Sequence, residues 1–139
     1  MKNERVTEKD YPLYKKRPDL IKTPTGKSVD EINIENVISG KITPLDCRIS
    51  EDTLEYQAQI AESAGSLQIA ENFRRAAELT RLPDNRILEI YNCMRPYNST
   101  AQELLDIADE LEKNYNAVKN AAFLRETVAV YTDRKLFRA

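Results

Sequence analysis

With 139 residues, 41% of them hydrophobic and 32% charged at a net charge of −2, the chain is sized and balanced for one soluble folded domain rather than a disordered polymer. The absence of histidine removes the commonest general base, the commonest metal ligand and every Ser-His or Cys-His nucleophile pair, and three glycines are too few for a glycine-rich cofactor loop. No apolar run approaches the roughly 20 residues of a membrane span, and the opening MKNERVTEKD has no signal-peptide core, so the cytoplasm is the default location, with Cys47 and Cys93 as free thiols.

Residues 1–28 carry eight Lys/Arg against four Asp/Glu, and the remainder 13 against 19. This basic segment holds three prolines and no helical period, so it reads as an extended arm over 1–28. A basic arm on an acidic body suits an anionic partner, nucleic acid among them, or an acidic protein surface. Within the arm, TPTGKS (Thr23 to Ser28) ends as a phosphate-binding P-loop ends. The complete motif needs a glycine at position 21, which is Ile21, and a buried strand before it, which YPLYKKRPDLIK does not provide. The segment therefore reads as a turn, with Pro24 presetting φ and Gly26 free to take a positive φ.

The rest, 29–139, reads as a helical body of about five helices, an all-α fold. NIENVISG is a short helix with Asn33 as its cap, Val37 and Ile38 packing and Gly40 at its end. Pro44 starts one turn. Ser50 caps a helix carrying Leu54, Ala58 and Ala61, and Gly65 weakens or kinks the run. Ala70, Phe73 and Ala77, with Leu67 as a further candidate, continue it to Pro83. The next helix opens at Asp84 and places Ile87, Leu88, Tyr91 and Met94 in one stripe. After Pro96, Ser99 and Gln102 have the spacing of a capping box, followed by Leu104, Leu105, Ala108 and Leu111. The last helix spans about Asn116 to Arg134, with Ala117, Ala121, Leu124, Val128 and Tyr131 on one face. It is also apolar at Val118, Ala122 and Ala129, and again at Phe123 and Val130. A helix apolar on several sides is either central to its domain or covered in part by another chain.

Arginine and aromatic residues are favoured anchors at protein interfaces. Tyr11, Tyr56, Arg74, Arg75, Arg95, Tyr97 and Phe123 are therefore the candidate interface residues. The alternative for them is solvated arginine and half-buried aromatic rings. Asp109 and Glu110 lie on a polar helix face and read as solvated charge, not as an acid/base pair. No catalytic, cofactor-binding or metal-ligating set emerges.

Nine segments in order carry a resemblance. They are YPL (Tyr11 to Leu13), TPTGK, RIS (Arg48 to Ser50), TLEYQAQIAE (Thr53 to Glu62), NFRRAAEL (Asn72 to Leu79), RILEIYN (Arg86 to Asn92), RPY (Arg95 to Tyr97), ELLDIADELE (Glu103 to Glu112) and NAAF with the following RE (Asn120 to Glu126). In this order the chain resembles the small, or gamma, subunit of adenosylcobalamin-dependent diol and glycerol dehydratases, over nearly its whole length. The resemblance implies a complex of large, medium and small subunits, two copies of each. In it the large subunit is a barrel holding substrate and metal ion, and adenosylcobalamin lies between the large and medium subunits. It implies a mainly helical small subunit that packs on the large one, contributes no catalytic residue and does not bind the cofactor. The implied reaction is a radical dehydration of a 1,2-diol to an aldehyde and water. Only about ten residues precede Tyr11, which leans toward a glycerol-type or non-encapsulated enzyme over one packed in a bacterial microcompartment. The competing reading from the residues is a helical adaptor outside any dehydratase. A free-standing nucleic-acid binder follows it, with the acidic body against it, and an independent enzyme comes last.

Overall fold

The computed structural model describes residues 5–139; the first four residues of the expected arm lie outside the described residues. The chain divides into two compact units, Met1–Ala77 and Glu78–Ala139. The all-α expectation holds: five helices of ten residues or more and two short ones are linked by turns, with no strand among the described residues.

In the first unit the arm does not run extended. It is a series of single turns, Glu8–Asp10, helix α1 (Leu13–Lys16) and Pro18–Leu20, with a further turn, Val29–Glu31, just past its end. Three turns of this unit share a capping pattern, Thr or Ser followed three residues later by Asp or Glu. The Thr7 amide donates to Asp10 Oδ2 (2.8 Å), that of Ser28 to Glu31 Oε2 (2.8 Å) and that of Thr43 to Asp46 Oδ2 (2.9 Å). Each box closes one turn; Pro44 presets the first position of one of them, and Pro18 does the same for the unboxed turn Pro18–Leu20. Val6 and Leu13 are buried with Ile60, and Gln59 Oε1 accepts from the Val6 amide at 3.1 Å.

Helix α2 (Ile34–Ile38) begins at Asn33, whose side chain accepts from the Asn36 amide, as its sequence suggests. Its apolar residues do not pack as expected: Val37 is 53% and Ile38 82% exposed. Ile42 is the buried residue here instead, its amide donating back to the Asn36 carbonyl at 2.9 Å. Helix α3 (Glu51–Ser63) starts at the Ser50 cap and buries Leu54, Ala58, Ile60 and Ala61. Gly65 does more than kink the run. At φ +81° it ends α3, with Gly65 N–H donating to Glu62 O and Ser66 N–H to Ala61 O. Helix α4 (Leu67–Leu79) then packs Ala70 and Phe73 against Ala58 and Ala61, while Leu67 faces outward.

The second unit is built from the end of α4 with α5 (Asp84–Cys93), α6 (Ala101–Tyr115) and α7 (Val118–Arg134). Its core joins Leu82, Ile90, Leu104, Ile107, Ala108, Leu111, Ala117, Ala121 and Leu124. Two expectations shift by one position. The inward side of α5 is Ile87, Ile90 and Met94, and Leu88 and Tyr91 are exposed. The cap of α6 is Thr100 paired with Glu103, not Ser99 with Gln102. Ser99 is instead buried, donating to the Cys93 carbonyl at 2.7 Å.

The α6–α7 junction is held by charges placed at helix ends. Glu78 is 9% exposed and accepts from the Lys119 and Asn120 amides (2.9 Å each) and from Asn120 Nδ2 (2.8 Å). It supplies the cap that Ala117 lacks. Arg81 donates to the carbonyls of Tyr115 (3.3 Å) and Asn116 (2.9 Å) at the end of α6. Each sign opposes the local end of the helix dipole. The C-terminal tail folds back to the α5–α6 loop, where Arg138 N–H donates to Ser99 O and Arg138 Nη2 reaches Glu103 Oε1 at 2.8 Å.

Candidate functional site

The TPTGK turn is a tight reversal in the first unit. Gly26 N–H donates to Thr23 O and Thr23 N–H to Lys27 O, both at 2.9 Å, with Gly26 at φ +86°. The donors that would face a phosphate all converge on Asp46. Thr23 Oγ1 donates at 3.0 Å, Lys27 Nζ reaches its two oxygens at 3.1 and 2.9 Å, and Thr25 Oγ1 donates as well. Asp46 is 2% exposed. The Thr25 hydroxyl, then the Thr43 amide and Lys27, hold its carboxyl far below the usual carboxylate range. A buried carboxylate thus occupies the place of an anionic ligand, and a phosphate there would meet it as a like charge.

The candidate interface residues fall in both units. In the first unit Tyr11 is 61% exposed. Tyr56 packs partly buried beside Val6, Leu13 and Ile60. Arg74 is committed within the unit, with Glu62 at 2.9 Å, Glu71 at 3.2 Å and Glu55 at 3.5 Å. That pairing, Glu62 foremost, raises the guanidinium pKa above its ordinary value and lowers that of Glu62. Arg75 is half-buried and bonds the Asn72 side chain.

In the second unit Arg95 and Tyr97 are exposed on the α5–α6 loop, and Phe123 is 39% exposed on α7. Tyr97 sits at φ +67°, a region unfavourable for a residue with a side chain. Its N–H donates to Leu136 O at 2.8 Å, so the C-terminal tail holds it there. On α7, Val118 and Val130 are also exposed while Ala121 and Leu124 are buried. The helix is covered on one side and apolar on the other. Tyr131 donates to Met94 O at 2.7 Å and meets Phe137 edge to face at 5.8 Å.

Asp109 and Glu110 are not merely solvated. Asp109 pairs with Arg125 at 2.8 Å and Lys113 at 3.3 Å, and Glu110 takes two bonds from Arg86 at 3.0 and 2.5 Å. No group of three or more Cys, Asp or Glu able to hold a metal ion occurs among the described residues. No helix among them is long and apolar enough to cross a membrane. What the chain displays, and what the candidate list omitted, is apolar surface on α2: Ile34 is 76% exposed beside Val37 and Ile38. The available signal was length, since a five-residue helix has too few turns to bury its apolar side and show a polar one.

The family model for the dehydratase small subunit matches residues 6–138. The propanediol dehydratase small subunits of Citrobacter freundii and of Salmonella typhimurium are each 55% identical to this chain over 126 residues, covering 91% of it and 73% of theirs. A match over so much of the chain has one reading: the chain belongs to the dehydratase small-subunit family.

Proposed function

We propose that this chain serves an adenosylcobalamin-dependent dehydratase acting on propane-1,2-diol or glycerol, and that it does so by packing on the large subunit. The observation that carries this reading is the 55% identity to two propanediol dehydratase small subunits across 91% of the chain. Its place in the complex is structural. The chain has no histidine to reach cobalt, so its residues do not fit an axial-ligand role, and no step of the radical reaction is assigned to it. In this reading residues 1–28 form the arm and 29–139 the helical body. The partners are large and medium subunits, two copies of each, in the cytoplasm or inside a bacterial microcompartment. The contact residues include Tyr11, Tyr56, Arg75, Arg95, Tyr97 and Phe123, and Arg74 serves by holding α3 and α4 together through its three carboxylates.

Co-expression tests the reading. The tagged chain should retain both larger dehydratase subunits through a size-exclusion column, in equal amounts of the three. Recovery of the tagged chain alone, with both larger subunits soluble in the same lysate, would contradict it.

A further inference from the structure

We infer that the outward ridge of α2, Ile34, Val37 and Ile38, together with the cleft beside it, is a docking surface for an apolar segment of a larger dehydratase subunit. The inference rests on the subunit reading above and names the part of the chain that makes the contact.

Three observations point to it. First, α2 buries none of its residues, yet three of its five are large aliphatics. Ile34 and Ile38 are one helical turn apart and are 76% and 82% exposed, so they share one outer face. Such residues add nothing to the packing of this unit, and surface aliphatics gathered together mark interaction sites. Second, the ridge adjoins a recess. A cleft of about 370 Å³ is lined by Ile21, Val29, Ile32 and Ile49, with Asp46, Lys22 and Arg48 among its polar residues. Ile32 lies two residues before α2 and is 43% exposed, and Ile49 is 52% exposed. A ridge beside an apolar recess can both give a side chain and receive one, the complementarity of a specific interface. Third, the segments flanking α2 are tied together within the unit. Asp46 ties the turn at Thr23–Lys27 to the Thr43 turn, and Lys41 pairs with Glu31 at 3.3 Å across the base of α2. A preformed surface loses little entropy on binding. What covers it follows from family membership: a small dehydratase subunit has larger dehydratase subunits as its partners, and the ridge carries no charged side chain except Glu35 to oppose an apolar one.

The test compares variants of the full chain co-expressed with both larger subunits. Ile34→Asp with Ile38→Asp places charge on the ridge. Leu67→Asp with Ile69→Asp does the same at exposed positions of α4, and Ile34→Ser with Ile38→Ala is a milder ridge variant. Circular dichroism of each isolated chain checks folding, and affinity for the two-subunit partner is measured by titration. The ridge variants should fold like the parent, and Ile34→Asp with Ile38→Asp should weaken binding by more than ~10-fold, because burying an unpaired carboxylate is costly. The α4 variant should bind within ~3-fold of the parent, as expected where no desolvated contact is lost. Unchanged binding of a folded ridge variant overturns the inference, as does equal loss in the ridge and α4 variants. If the charged ridge variant does not fold, the milder one decides by the same comparison, with a loss of ~3-fold or more expected for truncating two buried aliphatics. If the ridge variants only break a self-dimer of the isolated chain, the surface belongs to a second copy and the inference fails. If the parent chain itself does not bind, the subunit reading fails with it.

Discussion

At the scale of single residues, carboxylates do the fixing. Asp46 gathers donors from four residues, and its stabilisation is tied to its charge. The group's folded pKa is depressed below the unfolded value of about 3.9. Between the two values the unfolded chain binds more protons, so stability rises with pH there. The contribution is complete at neutral pH and is lost as pH falls below about 5 toward the folded value. Asp46→Asn should therefore lower Tm by several degrees at neutral pH and flatten its fall on acidification, read by circular dichroism across a pH series. Glu78 acts differently, as a cap supplied from another helix. Glu78→Ala should cost ~1–2 kcal/mol in urea unfolding, and Glu78→Gln less, because one acceptor remains. Neither residue was legible from local sequence. Lys27 and Asp46 are 19 residues apart, and Glu78 and Asn120 are 42 apart. Only the fold brings such pairs together. The Asp46 turn itself was legible, in the Thr43 to Asp46 capping spacing.

At the scale of elements, the sequence pattern located every long helix, and the misreadings have specific causes. Ser99 and Thr100 both suit a cap, and only Thr100 has an acid three residues on to close the box. Tertiary packing gave Ser99 another task, the Cys93 carbonyl. In α5 the pattern Ile87–Leu88–Ile90–Tyr91 offers two overlapping stripes, and the neighbouring α6 decided which one is buried. The arm was read as extended because prolines hide short turns, although its capping boxes were visible. Gly65 is the clearest stop. A Cβ there would meet nothing within 4 Å, so the burden of Gly65→Ala is conformational, through its φ of +81°. The substitution should cost ~1–2 kcal/mol in urea unfolding, with a far-ultraviolet spectrum like that of the parent. A loss far larger than that would mean the α3–α4 junction depends on more than backbone preference.

At the scale of the whole chain, the two units share one property: apolar residues stand outside each core. Ile34 and Ile38 do so in the first unit, and Leu88, Tyr91, Val118 and Val130 in the second. Clustered apolar surface without a cover drives association. The isolated chain should therefore show a mass above 16.0 kDa that grows with concentration in light scattering, and lower it when the larger subunits are added. The candidate interface was legible in part. Aromatic and arginine residues are visible in any sequence, but their commitments are not: Arg74 looks free in NFRRAAEL and is surrounded by Glu55, Glu62 and Glu71 in the fold. The ridge on α2 was hidden by the opposite error, since aliphatics in a helical pattern are normally read as core.

The most direct test of the central claim, a structural small subunit of a diol dehydratase, is reconstitution of activity. Aldehyde formation from propane-1,2-diol and from glycerol, with adenosylcobalamin present, is measured for the chain alone, for the large and medium subunits together, and for all three. The account predicts no activity from the chain alone and a large gain when it joins the other two. Full activity of the two larger subunits without it, unchanged by its addition, would contradict the account.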